Sequence, residues 1–242
     1  YINHKKYLTY KAFINQKVKN CKIIIDLPKN YFRNNLKTFK KYKSIIIDNY
    51  SSFKKHINVI PSVKKITKKN SIVLLSGEKY LLLSKDLMFE NLKNKKKKID
   101  QIFLFGSTKS PEKKILDDII KSKIKKYLII LGPYVEKSVI KRLKNKKFNI
   151  VVNPSNYYEL LCTSKRVISI YGVSTYEAIA IGLKPSIYIS NNETIDRLRD
   201  IEFLNNKGLV KKYDYRDLNN KGNYISTSPK IFSGANNILK LI

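Results

Sequence analysis

The chain has 242 residues and a mass of 28.3 kDa, and 43% of it is hydrophobic, enough apolar material to bury a core and to exclude wholesale disorder. Two cysteines, Cys21 and Cys162, cannot build a disulfide framework, and no stretch nears the ~18 consecutive apolar residues of a spanning helix, which excludes a stapled secreted scaffold and stable membrane insertion. Formal net charge is +32, yet only six basic residues are Arg and the lysines run along the whole length, so they are expected to be solvated surface rather than a specific nucleic-acid interface.

Short runs rich in Ile and Val recur at 22–25, 44–47, 57–60, 72–75, 102–105, 127–131, 149–152, 167–171 and 185–189. Runs of this length and composition predict strands buried on both faces, as in a parallel sheet. The stretches between them predict helices. The clearest covers 111–122, with Ser110 as N-cap, Pro111 at the first helical position, and Ile115, Ile119 and Ile120 at helical spacing. Similar helices are predicted over 135–143, 156–161 and 174–181, the last so apolar that it should be buried. Residues 235–242 should form a closing helix. Strand and helix alternating in this way implies an α/β, doubly wound architecture. The polar, basic segment 92–98 divides the chain into two Rossmann-like domains, 1–92 and 99–242. The first is too short to be complete. The chain begins at Tyr1 rather than Met, and carries no charged-then-apolar leader, so a fragment or processed chain in the cytoplasm is expected.

In doubly wound sheets, ligands sit beyond the carboxyl ends of strands. Two loops there combine Gly, hydroxyls and the N–H groups of a helix start, a combination suited to a diphosphate. One is Gly106-Ser107-Thr108 after the run 102–105, and the other is Gly172-Val173-Ser174-Thr175 after 167–171. Glu177 follows in the first turn of the apolar helix. Two readings stand for it: a carboxylate favoured by the helix dipole, or an acceptor for the hydroxyls of a ribose. No His/Cys/carboxylate spacing suggests a metal, no cofactor is implied, and no nucleophile elbow or Walker loop is present.

The segment Val167-Ile168-Ser169-Ile170-Tyr171-Gly172-Val173-Ser174-Thr175-Tyr176-Glu177-Ala178, followed by Gly182-Leu183-Lys184-Pro185-Ser186, resembles the nucleotide-binding segment of GT-B-type nucleotide-sugar enzymes. More narrowly, it is similar to the UDP-2,4-diacetamido-2,4,6-trideoxy-β-L-altropyranose hydrolases of bacterial pseudaminic acid biosynthesis and their relatives in spore-coat polysaccharide synthesis. Asp48-Asn49-Tyr50, Gly77-Glu78-Lys79-Tyr80-Leu81-Leu82, Phe105-Gly106-Ser107, Gly132-Pro133 and Asn156-Tyr157-Tyr158-Glu159-Leu160 resemble further family segments in the same order, so that the likeness spans about residues 44–190.

The resemblance implies a UDP-sugar as substrate and two Rossmann-like domains with UDP between them, mostly on the second. The diphosphate would meet Gly172, Val173, Ser174 and Thr175 together with Gly106, Ser107 and Thr108. Glu177 would hold the ribose, the stretch from Val151 to Asn156 would meet the uracil, and the sugar would face Asp48 and Tyr50. Water would attack the anomeric carbon and UDP would leave. Asp48 and Tyr50 also fit a helix cap and a sheet-edge contact. The family's His in a Gly-x-Gly-His loop has no counterpart here, since His4 and His56 lack that setting and are expected on the surface. The loop belongs before residue 1, so an N-terminal truncation is expected. Asn191-Asn192-Glu193 stands where the family has Asn-Gln, with Asn191 at the sugar. A monomer is expected. The alternatives are a GT-B glycosyltransferase using a UDP-sugar donor, and a non-enzymatic polyanion-binding protein with salt-sensitive affinity.

Overall fold

The structure is a computed structural model that describes residues 22–26, 29–40, 42–47, 51–53, 55–60, 74–83, 87, 98–105, 111–122, 124–191, 193–219 and 234–240. It is an α/β protein of two compact units, Tyr1–Leu82 with Ser233–Ile242, and Leu83–Phe232. The chain leaves the first unit and comes back to it for its final helix, so the last residues do not close the second domain as the division at 92–98 had it. Residues 88–97 of that divide lie outside the described residues.

The first unit holds β1 (Lys22–Asp26), α1 (Lys29–Phe39), β2 (Lys43–Ile47), β3 (His56–Ile60), β4 (Leu74–Ser76), a 3-10 turn (Glu78–Tyr80) and, from the far end of the chain, α8 (Gly234–Leu239). Its four strands among the described residues are parallel, in the order β1-β2-β3-β4. Successive side chains of β2 go to opposite faces. Ile46 meets Phe32 and Phe39 of α1 on one face, while Ile45 and Ile47 meet Tyr80 and Ile238 on the other. A Cβ on Gly234 would lie 1.9 Å from the Leu81 carbonyl oxygen, so only glycine lets α8 start against that backbone. The Asn237 side chain then donates to the Lys79 carbonyl at 2.7 Å.

Among the described residues no helix lies between β2 and β3, although the strands are parallel and in register from Ser44 opposite His56. A buried polar network holds the return segment. Asn58 accepts from the Ser51 N–H at 2.7 Å and donates to its carbonyl at 3.0 Å, so one side chain satisfies both backbone groups of a residue with no exposure. His56 Nδ1 lies 2.6 Å from Ser51 Oγ, and Nε2 lies 3.1 Å from the Phe39 carbonyl. His56 is therefore buried, at 1% exposure, and not the surface residue expected from its basic neighbours. Burial holds its pKa below the ordinary value, because a charged imidazole there loses its hydration.

The second unit holds β5 (Ile99–Phe105), α2 (Lys113–Lys121), β6 (Tyr127–Leu131), α3 (Lys137–Asn145), β7 (Ile150–Val152), α4 (Tyr157–Thr163), β8 (Ser164–Ile170), α5 (Val173–Ala180), β9 (Ser186–Tyr188), α6 (Ile195–Asn206), β10 (Lys211–Lys212) and α7 (Arg216–Asn219). All its strands are parallel, in the order β10-β9-β8-β5-β6-β7. Counted along this unit alone, that is the Rossmann order 3-2-1-4-5-6, which reverses direction between β5 and β8. β5 serves both faces. Phe103 and Phe105 pack with α2 and α3, and Ile102 and Leu104 with Leu161 of α4 and Ala178 of α5. Ile102, Phe103, Ile129 and Leu131 have no exposure, and burying each such side chain stabilises the unit by about 1.5–3 kcal/mol.

Helix α2 begins at Lys113 with Glu112 as N-cap, so Pro111 stands before the helix rather than at its first position. Ser110 lies outside the described residues. Helix α5 ends where Gly182 takes φ 86°, which lets the Leu183 N–H reach the Ala178 carbonyl at 2.9 Å. Cys162 is a buried thiol outside any disulfide, while Cys21 lies outside the described residues. Among the described residues no helix is long and apolar enough to cross a membrane, and no group of His, Cys, Asp and Glu is placed to hold a metal ion.

Candidate functional site

The carboxyl ends of β5, β6 and β7 open into a cavity of about 620 Å³ within the second unit. Its floor is Leu104, Phe105, Ile130 and Leu131, the last residues of two strands. One wall is the turn after β7, where Asn153 adopts φ 44° and its N–H bonds the Leu131 carbonyl at 2.9 Å. Asn tolerates that left-handed backbone better than most residues. The turn carries Pro154, Ser155 and Asn156 into the lining. The opposite wall is the start of α5, which contributes Ser174 and Glu177. The cavity thus lies on the carboxyl edge of the sheet at β5, one of the two strands between which the order reverses, and the helix that follows the other, β8, supplies its wall; open α/β sheets bind ligands near such a reversal.

The sequence-predicted residues divide when placed in this frame. Asn156, Ser174 and Glu177 line the cavity together. Gly172 and Val173 precede Ser174 as the cap and first residue of α5 and are not part of the cavity lining. Gly172 is extended, and a Cβ there would meet nothing within 4 Å, so no protein neighbour requires glycine at this position. Val173 is 60% exposed at the head of a helix whose other apolar residues are mostly buried. Among the described residues the N–H groups of Val173 and Ser174 have no hydrogen-bond partner, as at any uncapped helix start.

Thr175 differs from the expectation. It has no exposure, its N–H bonds the Gly172 carbonyl at 3.0 Å, and its hydroxyl accepts from the Gly172 N–H at 3.3 Å. Both of its polar groups therefore close the helix start from inside and are spent before any ligand arrives. Asn191 is exposed in the turn after β9 and is not part of the cavity lining. Asp48, Tyr50, Gly106, Ser107 and Thr108 lie outside the described residues.

Glu177 also sits differently from the sequence expectation. Helix α5 begins at Val173, so Glu177 falls in its second turn, beyond the N–H groups that a first-turn carboxylate would face. What holds it is a tyrosine from another helix: Tyr158 of α4 donates its hydroxyl to Glu177 Oε1 at 2.9 Å. The Tyr157 phenol is directed at the same carboxylate, and the two rings pack edge to face with centroids 5.0 Å apart. Burial raises the Glu177 pKa above the usual range, and the phenol donors oppose that rise by favouring the charged form. The Tyr157 phenol is pushed far above its ordinary value by burial and by the carboxylate it faces.

A second cluster fixes the turn from behind. Tyr171, the residue after β8, shares a hydrogen bond with the Tyr176 hydroxyl and donates to Asp200 Oδ2 of α6 at 2.9 Å. The turn that opens the cavity is thus tied to α5 and α6 at once. Neither tyrosine set is apparent from local spacing, because Tyr158 and Glu177 are 19 positions apart, and Tyr171 and Asp200 are 29. The available signal was the apolar helix itself, which predicts that its single carboxylate must find a partner.

No protein-family model matches the chain, and no curated protein matches it at a significant level.

Proposed function

We propose that the second unit seats the nucleoside diphosphate of a UDP-sugar, and that the protein is a nucleotide-sugar hydrolase acting on a UDP-linked diacetamido-trideoxy sugar for surface glycan synthesis in the cytoplasm. One observation carries this reading: Glu177, Ser174 and Asn156 line a single cavity on the carboxyl edge of a sheet in Rossmann order. A half-buried carboxylate suits a ribose diol, which offers two adjacent donors. The unpartnered amides of Val173 and Ser174 suit a diphosphate, and the turn 153–156 suits a flat base. In the proposed reaction the oxygen of water forms a bond to the anomeric carbon. The bond from that carbon to the diphosphate oxygen breaks, UDP leaves with the bridging oxygen and the bonding electron pair, and the proton shed by the attacking water passes to solvent. Fixed amides stabilise the charge that develops on the leaving diphosphate without reorganising. The two-domain GT-B arrangement, with Asp48 and Tyr50 on the sugar side, belongs to the same proposal.

The test is calorimetric titration of the whole chain with UDP, in the parent and in Glu177→Ala. Hydrogen bonds to a charged group contribute about 1.5–3 kcal/mol, so the variant should bind about 10- to 150-fold more weakly. A parent that does not bind UDP, or a variant that binds it unchanged, overturns the reading. Release of UDP from the UDP-sugar with water as the only acceptor supports hydrolysis, whereas turnover that needs an added alcohol assigns a transferase instead.

A further inference from the structure

Resting on the reading of Glu177 as the ribose acceptor, we infer that Tyr158 is a positioning residue that presets the Glu177 carboxylate for a vicinal diol and so makes the cavity selective for ribonucleotides. A glutamate side chain has three torsions to fix, and a free carboxylate in a cavity samples several orientations. Here the Tyr158 hydroxyl fixes Oε1 at 2.9 Å from the wall opposite to the helix that carries Glu177. Tyr158 is itself held, because its ring packs on Tyr157, and a tyrosine has only two torsions to order. An ionised carboxylate offers about four acceptor positions on two oxygens, so even with the Tyr157 and Tyr158 phenols both directed at it, enough remain for two ribose hydroxyls. The orientation is therefore set before the nucleotide enters, and the ligand does not have to impose it.

Both tyrosines line the cavity beside Glu177 and Asn156. Their place in the first turn of α4, directly after the turn 153–156, links the contact with the base to the contact with the ribose. Without the Tyr158 hydroxyl, the carboxylate loses the donor that fixes Oε1 while the ring and its packing remain. The loss should then fall on ligands that carry the diol and spare those that do not.

The experiment compares UDP with its dideoxy analogue, which lacks both ribose hydroxyls, in the parent and in Tyr158→Phe. The parent should prefer UDP by about tenfold or more. Tyr158→Phe should weaken UDP by about fivefold and leave the dideoxy analogue unchanged. Equal weakening of both nucleotides shows that the ring merely packs and overturns the inference while the ribose reading of Glu177 stands. An unchanged affinity for UDP overturns it as well. A parent that binds both nucleotides equally, or neither, overturns the ribose reading and this inference with it. As an independent readout, removal of the phenol donor should move the acid limb of UDP affinity to higher pH, because a donor to the charged form holds the carboxyl pKa down. An unmoved limb counts against the positioning role.

Discussion

The inward-facing Thr175 separates what builds the helix start from what meets a ligand. Thr175→Val keeps the shape and removes the hydroxyl. That hydroxyl accepts from the Gly172 N–H at 3.3 Å, and lies 3.3 Å from Ser169 Oγ and 3.5 Å from the Ile170 carbonyl. Each contact is long, so the bonds themselves contribute modestly. The larger cost is Ser169, which is 1% exposed and loses that partner in a place water cannot reach. Gly172 is half-buried and can turn to solvent. An unsatisfied buried group costs about 1–3 kcal/mol, which puts the expected destabilisation near 2 kcal/mol. The second unit spans about 150 residues. A domain of that size loses about 2–4 °C per kcal/mol, so its melting temperature should fall by about 4–8 °C. Differential scanning calorimetry is the assay, because two units can melt in two transitions that a single optical probe would merge. UDP affinity, measured below the transition, should stay within about twofold. A variant that melts within about 1 °C of the parent yet loses tenfold in UDP affinity would refute the reasoning, since its hydroxyl would then face the ligand.

Two further predictions concern the first unit. His56 has its pKa lowered by burial, so the unfolded chain binds the proton more tightly; stability should be full above the ordinary value of 6.5 and fall as the pH drops below it. Urea unfolding of this unit at pH 7.5 and pH 5.5, round values either side of about 6.5, checks the sign, and equal or higher stability at the lower pH contradicts it. Asn58→Ala strips partners from both the N–H and the carbonyl of the fully buried Ser51, and should cost about 2–4 kcal/mol. A loss below about 1 kcal/mol in the same unfolding assay would show that the return segment finds other partners.

The strands were legible because parallel strands buried on both faces leave continuous apolar runs. The runs at 44–47, 127–131 and 149–152 match β2, β6 and β7 to within a residue. β10 was not legible, since an edge strand of Lys211 and Lys212 carries no apolar signal and its lysines suit an edge. His56 was misplaced for a related reason. It is surrounded in sequence by Lys54, Lys55 and other polar residues, yet it opens a strand whose partner is Ser44. Its burial is decided by the neighbouring strand and by Phe39, 17 positions away. Residue type and local charge say nothing about either.

The candidate site was legible to the extent that its chemistry is local. Ser174 and Glu177 follow a strand end within one short segment, and both line the cavity. What was not local is the rest of the electrostatics. Periodicity places a carboxylate on an apolar helix but cannot say whether the helix dipole or a side chain from elsewhere offsets its burial. The two answers predict different chemistry. A dipole-held carboxylate would sit in the first turn and compete with a diphosphate for the same amides. A phenol-held one, a turn further on, leaves those amides to the diphosphate and is free to take the ribose. The start of α5 at Val173 and the Tyr158 bond favour the second arrangement. Under the proposed reading, it also lets one short helix carry a negative group beside a diphosphate without the two opposing each other at close range.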